Sequence, residues 1–567
     1  MESIALIGHI ARIFTVGGLI SLVLWIIANE YVRSRARIPG LDGPRGWPVI
    51  GNYLDIRSNA AVQYEKWAKK YGDVYQVQLG NTTVVVVNSP AAAKALFMSN
   101  SQALSSRPVT YTFHKVASTT AGLTIGASPY DDSLKRKKKG IAAALNRPAI
   151  QSYHPYFDRE TRAFISDLLR YGEAGAVAVD PLPMIQRLSL SLVMTINWGV
   201  RVASVRDPLF REIVAVEEEL NRARSTVGNA QDHIPLLRLN PFNATSATAR
   251  AMRARRDAYL ARLDAELAEK VEKATATNPP PPCIQTCVLE SQKEIRLDDA
   301  EFKAISLSVL GGGFETVSNT VQWTIAYLAQ NPGLQDRAYE EICRFQQKQM
   351  ASSSSPSSSG GGGGGGVVEE PLCDAQDDQR CAYVLGLAKE ALRYFSVIPL
   401  ALPRESIRDV VYEGVRIPKG STVYLNAWAC NHDPEMFPDP HTFDPERWIQ
   451  TRTDDTDPGT SAPPIFGFGI GYRMCAGHLL AMRELYLIYM RLLASFRIVV
   501  EKEGEERRIE CDPSRDMKIP TDLIMAPRPY RVVFVPRDEK RLRDALARTA
   551  GMWEGEGEEE KGEMSQT

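Results

Sequence analysis

The 567-residue sequence predicts a mainly α-helical protein with a minor β sheet and an N-terminal membrane anchor. Three observations predict this fold class. Most long segments, such as 302–328 and 383–394, carry apolar residues at helical spacing. Residues 75–79 instead alternate between apolar and polar side chains, Gly80-Asn81 makes a turn, and the valines 84–87 supply a returning strand, which is the pattern of a β-hairpin. The third observation is an apolar segment at the N-terminus, too long for an ordinary surface turn.

That N-terminal segment predicts a single membrane span. Residues 13–28 contain no charged side chain, and extension back to residue 4 makes a helix long enough for a hydrocarbon core of about 30 Å. Three arginines follow, at Arg33, Arg35 and Arg37, and basic residues beside a span tend to stay cytoplasmic. A cleaved signal peptide is the alternative, but its charge normally precedes the apolar run. We therefore expect residues 1–38 to form the anchor and its basic flank.

The rest of the chain predicts one large domain, residues 39–537, with two appendages. Residues 351–366 are mostly serine and glycine, a composition that predicts a flexible loop. This run lacks the lysine and Ser/Thr that a phosphate-binding loop needs. Residues 538–567 are rich in glutamate and predict an acidic, disordered tail.

Composition excludes several functional classes. A formal net charge of −1 gives no basic excess for nucleic-acid binding. Eight cysteines in a chain of this length do not form a dense disulfide framework, and Cys283 and Cys287 lack the partners of a zinc site. Reduced thiols are typical of a cytosolic domain.

The most specific motif is Phe468-x-x-Gly471-x-Arg473-x-Cys475-x-Gly477. It resembles the haem-binding loop of the cytochrome P-450 superfamily. The resemblance implies haem b with Cys475 as the sulfur ligand to iron, Arg473 beside a propionate and Phe468 packed beside the thiolate. Glycines allow backbone N–H groups to approach the sulfur. A buried structural cysteine is the alternative.

A helical pattern over 479–493 places Cys475 just before a helix N-terminus. The dipole at such an end favours a negative charge, so we expect a lowered thiol pKa.

A second motif, Gly311-Gly312-Gly313-Phe314-Glu315-Thr316, lies inside an apolar helical stretch. Glycine in a helix interior costs about 1 kcal/mol relative to alanine, so three together need a reason. The resemblance supplies one: the helix opens where dioxygen binds, and Glu315 and Thr316 relay protons to it. The family often has a hydroxyl directly after the threonine, where this chain has Val317. A plainly packed helix is the alternative.

A third motif concerns buried charges. Glu390 and Arg393 share a helix face at i, i+3. With Arg447 they resemble the family's glutamate–arginine–arginine network, which holds the cysteine loop in place. Charges buried in this way must satisfy one another. The resemblance also makes Arg404 a second propionate partner; a solvated surface pair is the alternative for Glu390 and Arg393.

One segment departs from the family pattern. The helix near 130–145 usually carries Trp-x-x-x-Arg, whereas here Leu134 and Lys138 occupy those positions. Lys138 pairs with a propionate only as a point charge, and Lys135 and Arg136 compete with it. The basic run 135–139 also suits docking of an acidic reductase, with a solvated basic face as the alternative.

The resemblance covers about residues 39–537 and implies a monooxygenase that inserts one atom of O2 into a small organic substrate. No dinucleotide fingerprint is present, so electrons come from a separate NADPH-cytochrome reductase at the endoplasmic reticulum membrane, with the catalytic domain cytosolic. Segments 128–136, 144–149 and 526–530 are similar to the fungal phenylacetate hydroxylase branch. This implies ring hydroxylation of phenylacetate or a hydroxyphenylacetate.

Several alternative functions stay open at this point. One is a monooxygenase of secondary metabolites or fatty acids. Another is a haem-thiolate isomerase or lyase that acts on peroxides, and a third is a haem sensor without turnover. The family analogy suggests a set of pocket-lining residues: Tyr111, Phe113, Leu123, Phe314 and 397–402.

Overall fold

The computed structural model describes residues 2–275, 279–353, 368–450, 463–501 and 509–550. Helices dominate the described residues, as the sequence predicts. In chain order they are α1 (Glu2–Ala36), α2 (Ala60–Tyr71), α3 (Pro90–Ala93), α4 (Asp132–Ala142), α5 (Arg147–Ser152), α6 (His154–Tyr171), α7 (Leu182–Trp198), α8 (Pro208–Ala223), α9 (Ala230–His233), α10 (Ala244–Glu272), α11 (Ile284–Glu290), α12 (Gln292–Ile295), α13 (Asp299–Gly313), α14 (Glu315–Gln330), α15 (Pro332–Ser353), α16 (Ala382–Phe395), α17 (Ala427–Asn431), α18 (Arg447–Gln450), α19 (His478–Ser495) and α20 (Glu539–Ala550).

The β structure is small and forms three sheets. The strands are β1 (Val74–Leu79), β2 (Thr82–Val87), β3 (Arg404–Glu405), β4 (Val410–Tyr412), β5 (Val415–Ile417), β6 (Thr422–Leu425), β7 (Phe496–Val500) and β8 (Val532–Pro536). The first sheet has the order β1-β2-β6-β3, while β4-β5 and β7-β8 are separate pairs. The predicted hairpin is confirmed, with Leu79 paired to Thr82 across the turn.

Helix α7 lies between the two largest hydrophobic clusters. On one side, Leu188 packs in a cluster with buried residues of α14, α16 and α19, including Val321 and Leu387. On the other side, Ile196 packs with residues of α10 and α13, including Leu310. Full burial of each such side chain contributes about 1.5–3 kcal/mol. These helices therefore form a rigid framework for the loops and helix ends that carry the candidate site.

The sequence predicts a single helix over 302–328, with the three glycines inside it. In the structure this helix is broken directly after the glycines. Helix α13 ends at Gly313, Phe314 has φ −92° and ψ −66°, and α14 begins at Glu315. The apolar pattern continues through the break, so hydrophobic spacing alone could not detect it. The break separates Gly312 from the helix that carries Glu315 and Thr316.

The N-terminal helix α1 is apolar and exposed along most of its length. Its segment Thr15–Ala36 has a mean hydropathy of 1.5 and is long enough to cross a membrane. The last turns of α1 contact the domain: Asn81 Nδ2 donates to Asn29 Oδ1 over 2.9 Å, and Arg33 Nη1 donates to the Trp47 carbonyl over 3.3 Å. The helix therefore has the features of the predicted anchor, and its C-terminal end is tied to the domain.

Two predicted boundaries need correction. Residues 538–567 were predicted as a disordered tail, but Glu539–Ala550 form α20, because Leu542 and Ala545 lie one turn apart and both are buried against the main core. The rest of that tail, from 551, lies outside the described residues. The predicted loop 351–366 begins with the last turn of α15, and its residues from 354 lie outside the described residues as well.

Candidate active site

The cysteine loop consists of two short helical turns, Phe466–Phe468 and Gly471–Arg473, that lead into α19. The Cys475 N–H donates to the Phe468 carbonyl over 2.9 Å and closes the loop. Gly471 has φ +68°, and a Cβ there would lie 1.9 Å from the Phe97 carbonyl oxygen. Only glycine fits this position, so the motif residue is required by the loop's contact with its neighbour.

The Cys475 side chain is accessible to solvent although it lies deep within the protein. Burial raises the pKa of the thiol, and a hydrogen bond from the Gly477 backbone lowers it by less. The lowering of this pKa by the helix N-terminus stays a prediction. A thiolate at this position needs a cation at the sulfur, as a coordinated metal provides.

Three arginines and a lysine gather around the loop. Arg473 donates from Nη1 to the Ile125 carbonyl over 2.9 Å, and Arg404 donates from Nη2 to the Ile470 carbonyl over 2.8 Å. Lys138 Nζ donates to the Tyr472 carbonyl over 3.0 Å. The structure therefore brings together the three basic residues that the sequence assigned to the propionates.

Arg107 is the fourth member of this cluster, and sequence reasoning missed it. Its Nε donates to the Gly126 carbonyl over 2.9 Å, and its Nη1 donates to the Pro403 carbonyl over 2.6 Å. Both acceptors lie in loops far from Arg107 in the sequence. A lone arginine before a proline carries no spacing signal, so only the tertiary structure could reveal it.

The cluster carries more positive charge than its surroundings neutralise. Burial, together with repulsion from Arg473, lowers the pKa of Arg404 to about 9, and burial lowers the pKa of Arg473 to about 10. Burial and repulsion by the other two arginines also lower the pKa of Arg107. Among the described residues, no carboxylate forms an ion pair with any of the four cations. Such a cluster fits a group that carries two carboxylates. The two propionates of haem are such carboxylates.

The basic run of α4 does not form one continuous face. Arg136 pairs with Glu301, with Nε and Oε2 3.1 Å apart, and Lys137 is buried and donates to the Leu123 carbonyl. Lys138 points to the cysteine loop, so only Lys135 and Lys139 of this run are exposed. Leu134, in the position where the family has tryptophan, is fully buried.

The helix break creates open space next to a hydroxyl. A Cβ added to Gly312 would meet no atom within 4 Å, and Thr316 Oγ1 donates to the Gly312 carbonyl over 2.9 Å. A chain of contacts joins α13 to the cysteine loop: Arg473 binds the Ile125 carbonyl, and the Ile125 N–H donates to Ser308 Oγ over 2.7 Å.

Glu315 is buried, and its carboxyl lies near charged side chains at the C-terminal end of α8. Burial raises the pKa of its carboxyl well above the usual range, and the nearby carboxyls of Glu217 and Glu218 raise it further, while Arg224 lowers it. The neighbouring Thr316 hydroxyl instead donates to the Gly312 carbonyl. The relay by this pair stays a prediction.

The charged network predicted from the sequence is assembled around Glu390. Arg393 donates from Nη2 to Glu390 Oε1 over 2.7 Å, and Arg447 donates from Nε to the same oxygen over 3.1 Å. Both Glu390 and Arg393 are fully buried, so the alternative of a solvated pair is wrong. The network reaches the cysteine loop through Asn431, whose carbonyl accepts from Arg393 and whose side chain accepts from the Phe466 N–H over 3.1 Å.

The suggested pocket residues have different surroundings. Phe113 and Phe314 are buried, and Phe113 lies beneath the Arg224 guanidinium, 4.8 Å from Cζ to the ring centre. Tyr111 contacts Arg238 instead, and the Leu123 carbonyl accepts from Lys137. Phe113 thus contacts a guanidinium whose Nε has no acceptor among the described residues, whereas Arg238, next to Tyr111, donates to backbone carbonyls.

The loop, the basic cluster and the opened helix define a haem-thiolate enzyme. The sequence profile of the cytochrome P450 family matches residues 41–534. The chain therefore belongs to the cytochrome P450 family and is a haem-thiolate monooxygenase.

Its relatives define a fungal branch of that family. The chain is 50% identical over 525 residues to the 3-hydroxyphenylacetate 6-hydroxylase of Emericella nidulans, covering 93% of this chain and 94% of that protein. It is 38% identical over 545 residues to the phenylacetate 2-hydroxylase of the same organism, covering 94% and 97%. A cytochrome P450 monooxygenase of Mycosarcoma maydis is 35% identical over 520 residues, covering 90% and 91%. The predicted resemblance to the phenylacetate hydroxylase branch is confirmed.

Proposed function

We propose that the protein hydroxylates the aromatic ring of phenylacetate or a hydroxyphenylacetate. The observation that carries this proposal is the 50% identity, over nearly the whole of both chains, to a 3-hydroxyphenylacetate 6-hydroxylase. A second hydroxylase of an aryl acetate is the next relative in identity among those described above. The apolar Phe113 beside an arginine is consistent with a substrate that has a ring and a carboxylate.

The cofactor in this proposal is haem b. Cys475 binds the iron, Arg473, Arg404, Lys138 and Arg107 hold the two propionates, and Phe468 packs beside the sulfur. Gly471 keeps the loop close to the Phe97 carbonyl, and a Cβ at Gly477 would lie 4.0 Å from the Cys475 sulfur, so both glycines keep space around the loop and its sulfur. When bound, the thiolate-ligated iron supplies the activation of dioxygen. The support for this assignment is the excess positive charge of the cluster and the accessible sulfur.

Two other sets of residues have different roles in the proposal. Thr316 holds a proton at its hydroxyl beside the open space at Gly312, and the buried Glu315 carboxyl, whose pKa is raised by burial, supplies protons to this position. Glu390, Arg393 and Arg447 are positioning residues that act through Asn431 on the cysteine loop. The hydrogen bonds of Asn431 join segments far apart in the sequence. This geometry supports the positioning role of the three charged residues.

The proposed cellular location follows from the N-terminal helix and its basic flank. Residues 1–38 anchor the protein in the endoplasmic reticulum membrane by a single span, and the domain 39–537 lies in the cytosol. Electrons come from an NADPH-cytochrome reductase. Lys135 and Lys139, the exposed residues of the basic run, would take part in its docking.

The test uses the full-length protein in detergent or lipid nanodiscs. Phenylacetate, 3-hydroxyphenylacetate and a medium-chain fatty acid are titrated separately while the haem Soret band is recorded. We expect a saturable high-spin shift with the aryl acids, and ring-hydroxylated product in proportion to the NADPH and O2 consumed once a reductase is added. A shift with the fatty acid and none with either aryl acid would overturn the substrate assignment.

Peroxide turnover without NADPH would favour the isomerase alternative over a monooxygenase. Substrate binding with no product under any condition would favour the sensor.

A further inference from the structure

Arg224 ends helix α8 and projects into the interior beside the opened helix. Its backbone N–H donates to the Leu220 carbonyl over 2.9 Å, which places the residue at the C-terminal cap of α8. Its guanidinium lies 4.8 Å above the ring of Phe113. A methyl group added at Gly311 would lie 3.1 Å from Nη1, so the guanidinium also touches α13 one residue before the open space at Gly312.

The hydrogen-bonding capacity of Arg224 is largely unused. Among the described residues, the hydrogen bond that its side chain makes is a long one, 3.4 Å from Nη2 to Thr124 Oγ1. Within the parts of the chain that the structure describes, its buried Nε has no acceptor and no carboxylate forms an ion pair with it. A guanidinium has five N–H donors, and burial without acceptors is costly. The site therefore lacks an acceptor that a ligand could provide.

No carboxylate of the described residues forms an ion pair with Arg224, although Glu217 and Glu315 are close to it. Burial raises the pKa of both carboxyls. The other nearby cation, Arg256, pairs with Asp257 over 2.8 Å. An anion that enters this space thus meets an arginine whose buried Nε has no acceptor among the described residues.

The surroundings select a particular kind of anion. Phe113 provides an apolar face directly beneath the guanidinium, while Thr124 provides a hydroxyl at its edge. The opening at Gly312 and Thr316 lies next to this position along the helix. An arginine beside an aromatic ring suits a molecule that joins a carboxylate to an aromatic group.

We propose that Arg224 binds the carboxylate of an aryl acetate and so determines which ring carbon is oxidised. This inference rests on the function proposed above. The names 2-hydroxylase and 6-hydroxylase both denote a ring carbon next to the one that bears the acetate group. An anchored carboxylate keeps that carbon at a constant place, because only one methylene separates the carboxylate from the ring.

The first test compares two ligands of nearly equal shape on the wild-type protein. 3-Hydroxyphenylacetate and 3-hydroxyphenylacetamide are titrated by the Soret shift of the full-length holoenzyme at pH 7.5. Charge-assisted hydrogen bonds are worth about 10- to 100-fold in affinity, so we expect the acid to bind at least about tenfold more tightly than the amide. Because this ratio needs no variant, a value near one overturns the proposal.

The second test removes the charge. Arg224→Gln should weaken binding of the acid by about 10- to 100-fold and leave binding of the amide within about threefold. Arg224→Lys keeps the charge but not the paired donors, and it should give an intermediate loss. Product analysis should show hydroxylation spread over more ring positions in Arg224→Gln than in the wild type.

A matched control lies on the same helix. Arg222 is exposed, and its Nη2 lies 3.9 Å from Glu218, so Arg222→Gln should change neither ligand's affinity. Equal losses for acid and amide in Arg224→Gln would show a general structural role and overturn the proposal. If the wild type binds and hydroxylates no aryl acid at all, the proposed function itself fails. A further outcome is that the wild type hydroxylates aryl acids and Arg224→Gln does so with unchanged affinity and at the same ring carbon. In that case the proposed function stands, and only the role of Arg224 in binding the carboxylate is overturned.

Discussion

The cysteine loop and the surroundings of Arg224 both contain buried arginines, but the two regions satisfy them differently. Around the loop, Arg107, Arg404 and Arg473 each donate to backbone carbonyls, so their positions are set before any ligand binds. Among the described residues, by contrast, the Arg224 side chain makes one long hydrogen bond and its buried Nε has no acceptor. The first arrangement suits a resident cofactor held for the life of the protein. The second suits a substrate that enters, supplies the missing acceptors and leaves.

The largest effect should come from the sulfur ligand. Cys475→Ser removes the thiolate proposed to bind the iron, so we expect complete loss of monooxygenase turnover and of the thiolate-type absorption band of the reduced carbon monoxide complex. Cys287→Ser, at another accessible thiol, should change neither. Retention of the thiolate-type band in Cys475→Ser would contradict the assignment of the loop.

The next effect concerns the network that supports the loop. Arg393→Met leaves the Glu390 carboxylate buried with fewer partners, and removal of one member of a buried pair costs about 3–5 kcal/mol. Urea denaturation of the holoenzyme measures this loss in the free energy of unfolding. Arg344→Met, which breaks an exposed pair on α15, should cost less than about 1 kcal/mol. Similar costs for the two variants would mean that the network does not stabilise the fold.

The residue that only the structure revealed, Arg107, should have an intermediate effect. Arg107→Met removes the charge-assisted hydrogen bonds proposed to hold a propionate, so transfer of haem to an excess of a haem-accepting protein should be about 10- to 100-fold faster. Arg408→Met is the matched control, because Arg408 is exposed and lies only four residues from Arg404. Equal rates of haem transfer in both variants would contradict the assignment of Arg107 to the cofactor site.

The smallest effect should come from the opened helix. Thr316→Val keeps the shape of the side chain and removes its hydroxyl, so we expect product formed per NADPH to fall about tenfold while NADPH oxidation continues. Thr320→Val lies one turn further along α14, where the hydroxyl is buried and donates to the Thr316 carbonyl over 2.8 Å. Thr320→Val should keep the wild-type ratio of product to NADPH, and an equal loss in both variants would point to a general disturbance of α14.

Several elements could be predicted because their signals are local. The alternation of 75–79 with a glycine turn predicted the β1–β2 hairpin, and the apolar spacing of 383–394 and 479–493 predicted α16 and α19. Other elements had no such signal. Among the described side chains of α20, Leu542 and Ala545 are buried, in a segment rich in charged residues, and those two positions matter because the main core lies beneath them.

By itself, the sequence determined the cysteine loop, the three charged residues of the Glu390 network and the membrane-anchor pattern. It could do so because residue type and short spacing carry the chemistry of such motifs. Only the tertiary structure decided that Arg107 joins the cluster, that Glu315 and Thr316 face different surroundings, and that Arg224 lies beside Phe113 and Gly311. These relations join segments up to about 300 residues apart, and a single side chain's burial or missing partner depends on which distant backbone reaches it.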